Sequence, residues 1–130
     1  MMELKKAMQS AASAMSAQSL RLRLTSENIA NADTPGYRRK LTSFEAALQR
    51  ETGATMVRPG PVRLSEAPMQ QTYDPGHPLA DERGMVASSN VDPIIEIADA
   101  REAGRSYEAN LSLYDQARRM RGSLLDLLNR

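Results

Sequence analysis

Ser26-Glu27-Asn28-Ile29-Ala30-Asn31-Ala32-Asp33-Thr34-Pro35-Gly36-Tyr37-Arg38-Arg39 is the stretch where the chain changes character. Residues 1–34 contain neither Pro nor Gly. Then Asn31, Asp33, Pro35 and Gly36 come in quick succession, and Pro35 biases Thr34 away from helical geometry. Thr34-Pro35-Gly36-Tyr37 places Pro and Gly at the two central positions that a type II turn requires. A long helix must end here, and the residues beyond Gly36 must be built differently.

Upstream, Leu4, Met8, Ala11, Met15, Gln18, Leu22, Thr25 and Ile29 recur at alternating spacings of four and three, which is a heptad. Leu20 and Leu24 widen the stripe. The pattern predicts a helix over residues 1–32, with about 28 ordered residues spanning about 42 Å.

Downstream, residues 33–91 hold six of the seven prolines and five of the seven glycines, which excludes a long helix. Leu41–Arg50 reads as a short helix around Phe44, Ala47 and Leu48. Thr55–Arg58, Val62–Leu64 and Met85–Ala87 read as short strands between turns. Asp92-Pro93 then offers an N-cap oxygen and a proline at the first helical position. Ile94 and Ile97 lead on to Tyr107, Leu111, Tyr114, Ala117, Met120, Leu124 and Leu127, one helical face over residues 92–130.

The fold class implied by this layout is mainly α. The helices at 1–32 and 92–130 pair as an antiparallel, coiled-coil-like hairpin forming one helical domain. Residues 33–91 form an irregular middle with turns and short strands. The seam comprises Leu4, Met8, Met15, Leu22, Ile29, Ile97, Tyr107, Leu111, Tyr114, Met120, Leu124 and Leu127. Leu20, Leu24, Ile95, Leu125 and Leu128 remain as apolar surface suited to further association.

Several function classes fall away. The 130 residues are 41% hydrophobic and 25% charged with a net charge of +1, so the basic footprint of nucleic-acid binding is missing. Arg38-Arg39-Lys40, the one basic run, reads as a solvated face or a protein contact. There is no cysteine, which removes disulfides, thiol catalysis and Cys-based metal sites. Gln9, Ser10, Ser13, Ser16, Gln18 and Ser19 break the apolar run that a signal peptide needs. Nothing approaches a membrane span of about 20 apolar residues.

His77, the lone histidine, lies near Asp74, Asp81 and Glu82, a set from which a metal site could be imagined. It sits between Gly76 and Pro78, however, and the carboxylates lack helical spacing, so it reads as a surface turn residue. Phosphate loops, nucleophile elbows and paired-histidine motifs do not occur. No catalytic, cofactor-binding or metal-ligating residue is assigned, and no enzyme is expected. Gly104, inside the second helix, costs about 1 kcal/mol relative to Ala; it marks close helix approach or is merely tolerated.

The opening stretch resembles the N-terminal signature of flagellar basal-body rod and hook proteins through Asn28, Ile29, Ala30, Asn31, Thr34, Gly36, Tyr37 and Arg38. Arg105-Ser106-Tyr107-Glu108-Ala109-Asn110 resembles the terminal-helix motif of the same family. Tyr73, Asp74, Pro75, Gly76, His77 and Pro78, then Asp81, Gly84, Val86 and Asn90-Val91, resemble the segment typical of FlgC-type proximal rod proteins. Met85 stands where that segment usually has an aromatic residue, and Ser89 where it usually has Pro.

The resemblance implies a structural subunit that polymerises with copies of itself and other rod proteins. The product is the periplasmic drive shaft of the basal body, with paired terminal helices around the export channel. It also implies unfolded passage through the flagellar type III export gate without a cleaved signal peptide, and no cofactor. Phe44 and Leu48 are implied as an export motif read by that gate; alternatively the pair simply anchors the short helix. The other readings are a FlgB-type axial subunit, an intracellular coiled-coil adaptor that leaves Asn28 to Arg39 unexplained, and an enzyme resting on His77.

Overall fold

The computed structural model describes residues 1–130. Helix α1 spans Met2–Ala30 and helix α2 spans Pro93–Leu128. Between them lie β1 (Lys40–Leu41), β2 (Phe44–Leu48), β3 (Thr55–Pro59), β4 (Arg63–Leu64), β5 (Gln71–Tyr73) and β6 (Met85–Ala87). These form three separate antiparallel pairs, β1–β4, β2–β3 and β5–β6.

The helix ends obey the local chemistry. Gly36 adopts a φ of 76°, and the Tyr37 amide donates to the Thr34 carbonyl at 3.1 Å, closing the turn after α1. Asp92 accepts from the Ile94 amide at 3.0 Å, and Pro93 opens α2 where its missing N–H costs nothing.

The two helices run antiparallel, as expected. Asn28 meets Glu96, Arg21 meets Asp99 and Glu102, and Leu4 and Met120 line one groove. In this register α1 is used up before α2 ends. Leu124, Leu125, Leu127 and Leu128 run past the start of α1 and stay exposed.

The seam itself differs from the expected one. Buried on α2 are Glu96, Ala103 and Ala117; with half-buried Asn110 they recur every seven residues. On α1 the buried residues are Met8, Ala11, Ala17, Leu24, Thr25 and Asn28. Of the bulky residues expected there, Met8 is buried and Leu4, Met15, Leu22 and Tyr114 are half-covered. Ile29, Ile97, Tyr107, Leu111, Met120, Leu124 and Leu127 lie exposed on the flanks. The repeat of Glu96, Ala103, Asn110 and Ala117 faces α1, and that orientation turns the bulky stripe aside. Leu24 is likewise buried instead of forming leftover surface.

Leu41–Arg50 is not a helix. Phe44–Leu48 pairs with Thr55–Pro59, from Phe44 opposite Pro59 to Leu48 opposite Thr55. The hairpin is pinned across α1. Ser10 Oγ donates to the Thr55 carbonyl at 2.6 Å, the Val57 amide to Ser13 Oγ at 2.9 Å, and Thr52 Oγ1 to Gln9 Oε1 at 2.6 Å. Tertiary pairing overrides the helix propensity of Glu-Ala-Ala-Leu. Strand β5 is a further element that the residue pattern does not predict. It pairs with β6 across a turn closed by Gly84, whose φ is 75° and whose added Cβ would fall 2.9 Å from the Tyr73 ring.

The chain buries little of itself. Only 14 of 130 residues are buried and the accessible surface is 8984 Å², against about 6,800 Å² for a compact protein of this mass. No helix is long and apolar enough to cross a membrane.

Candidate functional site

Where α1 ends and α2 begins, polar residues from five segments converge. Asn28 is almost completely buried. Its Nδ2 donates to the Lys40 carbonyl at 2.9 Å and to Glu96 Oε2 at 3.2 Å. Its Oδ1 accepts from the Lys40 amide at 2.9 Å and from the Tyr37 hydroxyl at 2.8 Å. An amide side chain supplies donors and acceptors together, which an aspartate at this position would not.

Glu96 is fully buried, with 0% exposure, and an unpaired carboxylate there would be strongly destabilising. Arg39 Nε donates to its Oε1. The same guanidinium reaches Asp99 Oδ2 at 2.7 Å through Nη2. Arg21 Nη2 bridges Asp99 at 3.4 Å and Glu102 at 3.3 Å. Lys40 pairs with Glu27 at 2.5 Å. The basic run is thus divided: Arg39 and Lys40 are ion-paired within the chain, and exposed Arg38 donates to the Ser65 carbonyl at 3.0 Å.

The loop before α2 completes the junction. Asn90 Oδ1 accepts from the Arg39 amide at 2.6 Å, and its Nδ2 donates to the carbonyls of Ser65 and Ala67, both at 3.0 Å. Ser89 Oγ donates to the Ala32 carbonyl and accepts from the Val91 amide at 3.2 Å. Its hydroxyl stitches the two helix ends together. The Gly36 amide reaches the Ala87 and Ser88 carbonyls, each at 3.2 Å.

Asn31 finishes α1, donating to the Glu27 carbonyl at 2.9 Å and accepting from Thr34 Oγ1 at 3.2 Å. Asn28, Asn31, Thr34, Gly36, Tyr37 and Arg38 therefore come together at one junction, while Ile29 and Ala30 face outward. Glu96 is the junction residue that the sequence pattern does not single out. A charge set among Ile94, Ile95 and Ile97 is the one signal that points to it. A cavity of about 220 Å³ beside it is lined by Arg21, Arg39, Lys40, Phe44, Glu96 and Asp99, whose charges are mostly committed to one another. The arrangement ties segments together and leaves no activated nucleophile.

Tyr73, Asp74, Pro75, Gly76, His77, Pro78, Asp81 and Gly84 lie apart from the junction, on the β5–β6 hairpin and its turn. The His77 amide donates to the Asp74 carbonyl at 3.1 Å, and His77 Nδ1 accepts from the Leu79 amide at 3.0 Å. Asp81 Oδ1 accepts from the amides of Arg83 at 2.8 Å and Met85 at 2.9 Å. These residues shape a loop. Phe44 is half-buried near the junction, and Leu48, on the same face of β2, is exposed.

Comparison with known proteins bears on this geometry. A family model described as flagella basal body rod protein matches residues 8–38. One described as flagellar basal body rod FlgEFG protein C-terminal matches residues 82–127. The flagellar basal-body rod protein FlgC of Agrobacterium fabrum is 46% identical over 125 residues, covering 91% of this chain and 90% of its own. That of Salmonella typhimurium is 39% identical, covering 85% and 87%. That of Aquifex aeolicus is 36% identical, covering 88% and 89%. The two family matches meet at the polar junction, one from each side.

Two groups in the junction titrate away from their ordinary values. Burial raises the Tyr37 hydroxyl above 10.0, with the negative charges of Glu27 and Glu96 adding to it. The hydrogen bond to Glu27 raises the Lys40 amine above 10.5. Both hold their protons more tightly folded than unfolded. Their contribution to stability is complete below about pH 10 and is lost as pH climbs through the raised folded values. Thermal melts across pH 9–12 should therefore fall above about pH 10, and less steeply in Tyr37→Phe and Lys40→Met. Stability that rises over that range would contradict the assignment.

Proposed function

The chain belongs to the flagellar basal-body rod protein family, and from that premise we propose how it reaches the rod and builds it. It is a structural subunit of the flagellar rod. It crosses the flagellar type III export gate unfolded and without a cleaved signal peptide. It then folds in the periplasm and polymerises with copies of itself and other rod proteins into the proximal rod. There the shaft transmits torque, its paired helices surround the export channel, and no catalytic step is involved.

The observation that carries this reading is the uncovered surface. The chain exposes about 2,200 Å² more than a compact protein of its mass, and much of it is bulky apolar residues at heptad spacing on α2. The signature residues at the junction serve to hold α1 and α2 in one geometry, so that those stripes are presented in register. The β5–β6 hairpin, with Tyr73 and Leu79 exposed, reaches toward neighbouring subunits.

Replacing Leu111 or Leu124 with Asp should leave the isolated chain folded, because the side chains are 42% and 40% exposed and a carboxylate there can reach water. Motility should be lost, because a carboxylate within a covered helix interface is costly. His77→Ala cells should swim normally. Immotile His77→Ala cells beside motile Leu111→Asp cells, scored on soft agar, would refute the structural role.

Phe44 and Leu48 carry a separate expectation. On β2 they share a face, since strand side chains alternate, but exposed Leu48 is a poor packing anchor. We assign the pair to recognition by the export gate while the chain is unfolded. In Phe44→Ala/Leu48→Ala cells the subunit should accumulate in the cytoplasm. Normal periplasmic levels with failed assembly would return the pair to a packing role.

A further inference from the structure

Helix α2 carries a second heptad stripe, turned away from its seam with α1. Ile97, Gly104, Leu111, Arg118 and Leu125 recur every seven residues, with Tyr107, Tyr114 and Leu128 three residues after Gly104, Leu111 and Leu125. Ile97, Leu111 and Leu125 are each more than two-fifths exposed. Across from the middle of the stripe, α1 and the β2–β3 hairpin complete an open groove of about 580 Å³. It is lined by Met15, Leu20, Arg23, Pro59, Tyr107 and Tyr114, among others.

Two glycines on α2 bear on this surface. Gly104 and Gly122 are eighteen residues apart, which is five helical turns, so they lie on one line along the helix. A Cβ at either would meet nothing within 4 Å. Both glycines weaken the helix, and nothing inside the chain requires them. Each leaves its point on that line without a side chain and open to another molecule.

We propose that this groove seats the protruding end of α2 from a second copy of the chain, with its leucines lying over Gly104 between Tyr107, Tyr114 and Met15. The inference rests on the rod reading and names the surfaces that meet. Leu124, Leu127 and Leu128 stand on one side of the protruding end and are 40%, 61% and 75% exposed. The excess surface of about 2,200 Å² exceeds twice the roughly 800 Å² that one partner contributes to a standard interface. Two different patches, one tip and one groove, therefore have area enough on each copy. Tip into groove is a head-to-tail contact, and it leaves a free tip and a free groove after every addition.

The chain has no cysteine, so an introduced pair reports without background. Ser19 lines the groove beside Tyr107, whereas Leu127 is twenty residues further along α2, about 30 Å away. A disulfide needs Cα atoms within about 7 Å, so any bond in a Ser19→Cys/Leu127→Cys chain joins two copies. Mild oxidation of motile cells, and then isolation of basal bodies, should give a ladder of dimers and larger chains. In parallel, purified Gly104→Ala should melt about 3–5 °C higher. Gly104→Leu should also fold, yet enter basal bodies at least tenfold less than the unsubstituted chain. The proposal is overturned by wild-type incorporation of Gly104→Leu, by absence of any disulfide, by a band that stops at the dimer, or by an adduct to a different protein. Absence of the unsubstituted chain from basal bodies would overturn the rod reading itself and this contact with it.

Discussion

Glu96 is a carboxylate with no access to water, and most of the tertiary arrangement can be understood as what it takes to keep it there. A buried charge is tolerated only when paired and hydrogen-bonded. Arg39 supplies the charge and Asn28 a hydrogen bond. To bring Arg39 within reach, the chain must reverse directly after α1, which the Thr34–Tyr37 turn achieves. To hold Asn28 in one orientation, its other atoms must be engaged, which Lys40 and Tyr37 do. The capping, the turn and the loop before α2 are consequences of one requirement.

A junction of this kind changes what the rest of the hairpin must supply. Helix seams in compact domains gain stability by burying Leu and Ile, at about 25 cal/mol per Å² of apolar surface. Here Ala11, Ala17, Ala103 and Ala117 occupy much of the seam, so little apolar area is gained per residue. The larger side chains are turned outward, where only another molecule can cover them. Firm attachment at one end and uncovered apolar stripes along the length are the properties a subunit of a continuous shaft needs.

Much of the fold is legible from the residues. The stop at Asn31–Gly36, the Asp92-Pro93 start and the strand Met85–Ala87 arise from local backbone chemistry, and the structure has them there. The antiparallel pairing of the ends is the natural outcome for two amphipathic helices that cannot bury their faces alone. The exact seam is hidden because α2 has two heptad stripes, and bulk marks the one facing away from α1. Leu41–Arg50 misleads because its helical propensity is local, whereas the hydrogen bonds from Ser10 and Ser13 that hold β3 against α1 come from residues some forty-five positions away. Glu96 is hard to read because a lone acid in a helix ordinarily faces water; its isoleucine neighbours are the one hint, and the position of Arg39 in space makes it a core residue.

The central claim is that the polar junction, and not the bulky stripe, holds the isolated fold. Urea unfolding of Asn28→Ala beside Leu111→Ala tests this directly. Removing Asn28 strands the Tyr37 hydroxyl, the Lys40 amide and one oxygen of Glu96, and the predicted loss is about 3 kcal/mol or more. Leu111→Ala should stay within about 1 kcal/mol of the unsubstituted chain, as exposed positions do. A stable Asn28→Ala beside a strongly weakened Leu111→Ala would contradict it.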